Sequence, residues 1–120
     1  MEHMTPPTQP AHDPVPLPPG FRAHAGAAGL RERGDDVFVV VNDGPSPASS
    51  AVFTRSLFAG PSVVLSRQNA ASGTARGVVV VAKNANVATG EQGMADAREV
   101  LERAAGAVGV APGELLIAST

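Results

Sequence analysis

Hydroxyls, amides and charges that could do chemistry gather at a few points of the sequence. The chain closes on E-L-L-I-A-S-T, in which Leu115, Leu116 and Ile117 read as a short buried strand with Ser119 and Thr120 at its tip. A hydroxyl at the carboxyl end of a strand can be a nucleophile, donate to an oxyanion or cap a following helix. A second group is A-K-N-A-N-V-A-T-G-E-Q-G, residues 82 to 93, where polar side chains crowd the end of another apolar strand. Open sheets bind ligands in the crevice at such ends. Asn84 and Asn86 are two residues apart and would face the same way in extended chain, their amides holding either a ligand or the loop backbone. Lys83 beside them is either a charge stabiliser or a strand-end cation reaching water.

Other candidates carry less. Asp35 and Asp36 adjoin each other before a strand, so their carboxylates point apart and a solvated turn is expected rather than an acid–base pair. His24 has no neighbours at a spacing that points to a triad, and His3 and His12 stand without other ligand-type residues nearby. There is no cysteine, which removes thiolate nucleophiles, thiolate metal sites and disulfides. Gly90 and Gly93 do not complete a G-x-G-x-x-G, and no Walker A pattern exists. No cofactor or metal is expected.

The net charge of −2 and an aromatic content of 3% leave neither a basic field nor stacking surfaces for nucleic acid. No stretch approaches the about 20 apolar residues that a membrane-spanning helix needs. The expectation is a cytoplasmic protein that meets neither nucleic acid nor membrane.

Elements that would position these groups follow from patterning. Residues 1–19 hold seven of the eleven prolines and read as a disordered, polyproline-like leader. Residues 20–120 would form the folded part. V-F-V-V-V (37 to 41) and G-V-V-V-V-A (77 to 82) are continuous β-branched runs, expected as strands covered on both faces. Ser50 to Arg55 and Pro61 to Ser66 read as two further strands, with Arg67 to Ala75 as a loop. Thr89-Gly90-Glu91-Gln92 matches a capping box, and Glu91 suits the first turn of a helix. Met94, Ala97, Val100 or Leu101, Ala104 and Val108 then recur at helical spacing, and Gly109 and Pro112 are placed to end the helix. A helix over 90–108 between two apolar strands is a β-α-β unit. The fold class expected is α/β (α+β), a mixed β-sheet with packed helices.

Several blocks, in order, carry a resemblance. They are P-P-G-F-R (18 to 22), A-A-G-L (27 to 30), A-V-F-T-R (51 to 55), A-G-P-S-V-V-L-S-R (59 to 67), N-A-N-V-A-T-G-E-Q-G-M-A-D-A-R (84 to 98) and L-L-I-A-S-T (115 to 120). Together they resemble the ornithine acetyltransferases, also called glutamate N-acetyltransferases, across residues 18 to 120. The resemblance implies a layered sandwich, incomplete in this chain, and transfer of an acetyl group from N-acetylornithine to glutamate by a ping-pong route in arginine biosynthesis. It implies a precursor that cuts itself before a threonine beyond residue 120, that threonine being the N-terminal nucleophile of the β subunit in an α2β2 heterotetramer. No cofactor is implied, although acetyl-CoA serves some members as acetyl donor. In the family, the strand-end threonine and a following glycine form the oxyanion hole, and the match falls on Thr120. The 120 residues would then be the first part of an α subunit, inactive alone.

One block departs from the pattern. Arginine-pathway members commonly read N-S-G-N-A-N-A-C-T-G where this chain has V-A-K-N-A-N-V-A-T-G, so Val81, Ala82 and Lys83 replace Asn, Ser and Gly, and Ala88 replaces Cys. This form is similar to the branch found with specialised-metabolite clusters, which implies a different acyl acceptor. A non-catalytic truncated binding subunit and a related self-cleaving aminopeptidase or amidase are the other readings.

Overall fold

The computed structural model describes residues 16–26, 36–82 and 90–120. Four strands form one mixed sheet in the order β1-β2-β3-β4: β1 (Phe21–Gly26), β2 (Val37–Asn42), β3 (Gly77–Val81) and β4 (Leu115–Ser119). β1 and β2 pair antiparallel, β2 and β3 pair antiparallel, and β3 and β4 pair parallel. Helix α1 (Pro61–Ala70) lies before β3, and α2 (Gly90–Val108) carries the chain from β3 to β4. The expected mixed α/β class and its β-α-β unit are therefore present.

Strands β2 and β3 form where β-branched residues run without interruption, because those side chains fit a pleated, half-buried surface. Register puts Val39, Val79 and Ile117 in one row and Val41, Gly77 and Leu115 in the next. Gly77 is required there: a Cβ on it would lie 2.1 Å from the carbonyl oxygen of Val40. Against these rows α2 lays Gly93, Ala97, Leu101 and Ala105, spaced four apart on one face. Small residues at three of these four positions let the helix backbone approach the sheet closely. Gly109 (φ 79°) ends α2, its N–H and that of Val110 both donating to Ala105 O at 2.9 and 3.0 Å.

Several expectations are corrected. Pro61 to Ser66 is not a strand but the start of α1, which also takes in Arg67 to Ala70 of the expected loop. Proline at the first helical position costs no hydrogen bond, and its φ is already helical. Ser50 to Arg55 is irregular, with Val52 96% exposed. Among the described residues no strand pairs with this segment. It is tied down instead by Ser49 N–H to Gly73 O (2.9 Å) and Arg67 Nη2 to Thr54 O (2.7 Å), with the Arg67 guanidinium over the Phe53 ring.

Among the described residues the strands are covered on one face only. On the other, Phe38, Val40, Val78, Val80, Leu116 and Ala118 are exposed or half-buried, because both helices serve the opposite face and the edge. β1, F-R-A-H-A-G, alternates Phe21, Ala23 and Ala25 with Arg22, His24 and Gly26, buries little on either face, and forms through its pairing with β2. Asp36 is 2% exposed rather than solvated: its N–H donates to Gly26 O (3.0 Å) and its carbonyl accepts from Ala82 N–H (2.8 Å), which seats it at the base of β2. Asp35, Thr89 and the leader through residue 15 lie outside the described residues.

Candidate functional site

β4 is an edge strand, and an edge exposes a row of unpaired backbone groups. Its inner edge follows β3: Thr120 N–H donates to Val81 O at 3.0 Å, carrying the parallel ladder one residue past the strand. Its outer edge is covered by α1 rather than by another strand. Ser66 Oγ donates to Ile117 O (2.7 Å) and accepts from Ile117 N–H (2.8 Å), so one hydroxyl does the work of a neighbouring peptide group. Asn69 Nδ2 donates to Leu115 O at 2.8 Å and Pro112 O at 3.2 Å. Ser62 Oγ and Ser119 Oγ share a hydrogen bond of 2.8 Å.

Spacing explains the match. Positions 62, 66 and 69 lie on one helix face, rising about 6 and 4.5 Å, and positions 119, 117 and 115 recur along one side of a strand about 6.6 Å apart. The helix therefore runs antiparallel to β4 with its N-terminus at Ser119. The β-α-β connection puts the N-terminus of α2 at the same end of the sheet. Two positive helix-dipole ends thus lie at the carboxyl ends of β3 and β4, an environment that favours developing negative charge.

Thr120 sits at that end. It is exposed, and strand alternation turns its side chain away from Ser119 towards the face of Leu116 and Ala118. A hollow of about 350 Å³ opens along the last residues of β4, lined among others by Phe53, Gly60, Ser62, Ala118 and Ser119. A larger recess of about 770 Å³ lies on the other face, between β1, β2 and the last turns of α2. Its walls are mostly valine and alanine with Arg22 and His24 among them, and none of the described residues lining it carries a hydroxyl or carboxylate, so the smaller hollow is the better seat for chemistry.

Of the residues singled out by sequence, Thr120 is at the sheet end, while Lys83, Asn84 and Asn86 lie outside the described residues. Ala82, immediately before them, directly follows the β3 residue that binds Thr120. His24 is exposed on β1, away from Thr120. Among the described residues no group of three or more His, Asp or Glu could hold a metal ion, and no helix is long and apolar enough to cross a membrane. Sequence reasoning missed Ser62, Ser66 and Asn69; the signal was present as three hydrogen-bonding side chains at i, i+4 and i+7.

Arg22 closes the far end of the sheet. It pairs with Asp43 through Nε and through Nη2 (3.0 Å to Oδ1), and Nη2 also donates to Val108 O (2.7 Å) at the end of α2. The hydrogen bond from Arg22 holds the Asp43 carboxyl below its ordinary range.

Comparisons with known proteins bear on this site. A family model described as the ArgJ family matches residues 22–120. Glutamate N-acetyltransferase Oat2 of Streptomyces clavuligerus is 56% identical over 103 residues, covering 86% of this chain and 26% of the relative. The arginine biosynthesis bifunctional protein ArgJ of Rhodococcoides fascians is 47% identical over 104 residues, with the same coverage. The chain therefore spans about a quarter of the length of these curated relatives. Among solved structures, ornithine acetyltransferase of Mycobacterium tuberculosis, complexed with ornithine, superposes with a TM-score of 0.80 at 33% identity over 86% of this chain and 56% of that one. The ArgJ structure from Bacillus halodurans, at 22% identity and a TM-score of 0.76, shares the fold over 85% of this chain and 53% of its own.

Proposed function

The chain belongs to the ArgJ family, and from that premise we propose that residues 20–120 supply the N-terminal part of a glutamate N-acetyltransferase, with Thr120 as an oxyanion-hole donor. The observation that carries this is the place of Thr120: a hydroxyl at the carboxyl end of a parallel strand pair, beside a hollow and the N-termini of two helices.

In the proposed reaction a threonine hydroxyl from sequence outside these residues attacks the acetyl carbonyl carbon of N-acetylornithine. The carbonyl oxygen becomes an oxyanion, and Thr120 donates a hydrogen bond to it. The C–N bond then breaks and the amine leaves as ornithine with the nucleophile's proton. The glutamate amine attacks the resulting ester by the reverse course, giving N-acetylglutamate and the free threonine. A donor aimed at charge that exists only in the intermediate raises the rate without tightening substrate binding. The reading includes a cytoplasmic location and an α2β2 assembly with the β subunit cut from the same precursor. Asn84 and Asn86 remain its substrate-binding candidates.

The test is acetyl transfer from labelled N-acetylornithine to glutamate by the complete polypeptide carrying these residues. Activity there, none from the 120-residue chain alone, and a loss of about 10²- to 10³-fold in kcat on Thr120→Ala are expected. Full activity of the Thr120→Ala enzyme would overturn the role of Thr120. A second reading, a paralogue with another acyl acceptor, draws support from the V-A-K-N-A-N-V-A-T-G block. Replacing glutamate with a panel of amines distinguishes the two.

A further inference from the structure

We infer that Ser62, through its hydrogen bond to Ser119, is a positioning residue that sets the direction of the Thr120 hydroxyl; this rests on the role proposed for Thr120. Thr120, one residue past β4, is held on the β3 side by its N–H to Val81 O bond at 3.0 Å. A bond on one side only leaves the peptide planes there free to tilt about it. Ser119 removes that freedom. Its side chain points to the core side, as those of Leu115 and Ile117 do, and meets the Ser62 hydroxyl at 2.8 Å.

Ser62 is itself fixed. It is 7% exposed and lies in the first turn of α1, which Ser66 and Asn69 bind along β4 at two further points. With Ser119 locked to one side, alternation of the pleat directs Thr120 to the other, the side of Leu116 and Ala118, which wall the hollow together with Ser62. Ser66 offers the contrast. It makes two bonds to Ile117, three residues before Thr120, and holds the strand without touching its tip.

The experiment is a double-mutant cycle on the complete polypeptide, with acetyl transfer and thermal unfolding both measured. Ser62→Ala should lower kcat about tenfold with KM within twofold, since misdirecting a donor loses stabilisation made only in the transition state. Ser62→Thr, which keeps a hydroxyl, should restore most of it. In a Thr120→Ala background the Ser62→Ala penalty should vanish, because a residue that acts through Thr120 has nothing left to position. Ser119→Ala removes the same bond from the strand side and should reproduce the kcat loss, which covers a Ser62 variant that fails to fold. Ser66→Ala should lower the melting temperature while leaving kcat within threefold. Penalties from Ser62→Ala and Thr120→Ala that simply multiply, or an unchanged kcat in Ser119→Ala, would overturn the inference. A Thr120→Ala enzyme with full activity would instead sink the role of Thr120.

Discussion

Ser66 shows how much one side chain can do in this fold. Its hydroxyl both donates to and accepts from Ile117, meeting the two backbone groups that an edge strand would otherwise leave bare. Ser66→Ala would strand a buried N–H and C=O together, so a destabilisation of about 2 kcal/mol is expected, read as a lower urea midpoint with an unchanged slope. Gly77 is the opposite case, important for what it lacks. With Val40 O where its Cβ would be, Gly77→Ala must push β2 and β3 apart, and an overpacking cost of about 2 kcal/mol is expected in the same assay. A Gly77→Ala chain as stable as the parent would mean that the two strands do not approach this closely. Thr120 was legible from sequence because an apolar triplet followed by two hydroxyls describes a strand and its tip. Ser62 was not, since its meaning depends on a hydroxyl 57 residues away.

Among elements, the same contrast between local and distant information decides what sequence could reveal. β2, β3 and β4 announce themselves through unbroken β-branched or apolar runs, and α2 through a stripe repeated every three to four residues with glycine at its end. These are local patterns that tertiary structure had only to accept. α1 is different. P-S-V-V-L-S holds a short β-branched apolar run that passes for a strand, and its helical logic shows only when Ser62, Ser66 and Asn69 are set against their partners on β4. β1 alternates only a phenylalanine and two alanines with its polar residues, a pattern too weak to mark a strand, and it forms on the edge that β2 offers. The packing of α2 tests the element scale directly. Leu101 is buried in the same core cluster as Val79 and Leu115, so Leu101→Ala should cost about 3 kcal/mol by opening a cavity. A cost under 1 kcal/mol would show that α2 is not seated on this sheet.

At the scale of the whole molecule, two features matter, one at each end of the stability question. Arg22 links β1 to Asp43, just past β2, and to the Val108 carbonyl at the end of α2, tying three elements at the rim opposite Thr120. Because Asp43 is held below its ordinary value of 3.8, its contribution is complete above that value and is lost as pH falls through the lower, folded-state value. Acid unfolding should therefore steepen below about pH 4, and Arg22→Gln should flatten that limb; an identical acid limb in the variant would show that the pair contributes nothing. The other feature is the uncovered sheet face. Phe38, 42% exposed, lies in a row with Val80 and Ala118 and beside Val40 and Val78. A contiguous apolar surface of this kind draws other chains together. The 120-residue chain alone should self-associate in sedimentation velocity, and Phe38→Lys should shift it towards monomer.

What remains is the hydroxyl at the end of β4, which one rate measurement addresses most directly: acetyl-enzyme formation in a single turnover of the complete polypeptide. With Thr120→Ser, which keeps the donor, the rate should stay within a few-fold of the parent. With Thr120→Val, which keeps the shape and loses the donor, it should fall about 10²-fold or more while N-acetylornithine binds as before. Equal rates for the serine and valine enzymes would contradict the assignment of Thr120 to the oxyanion.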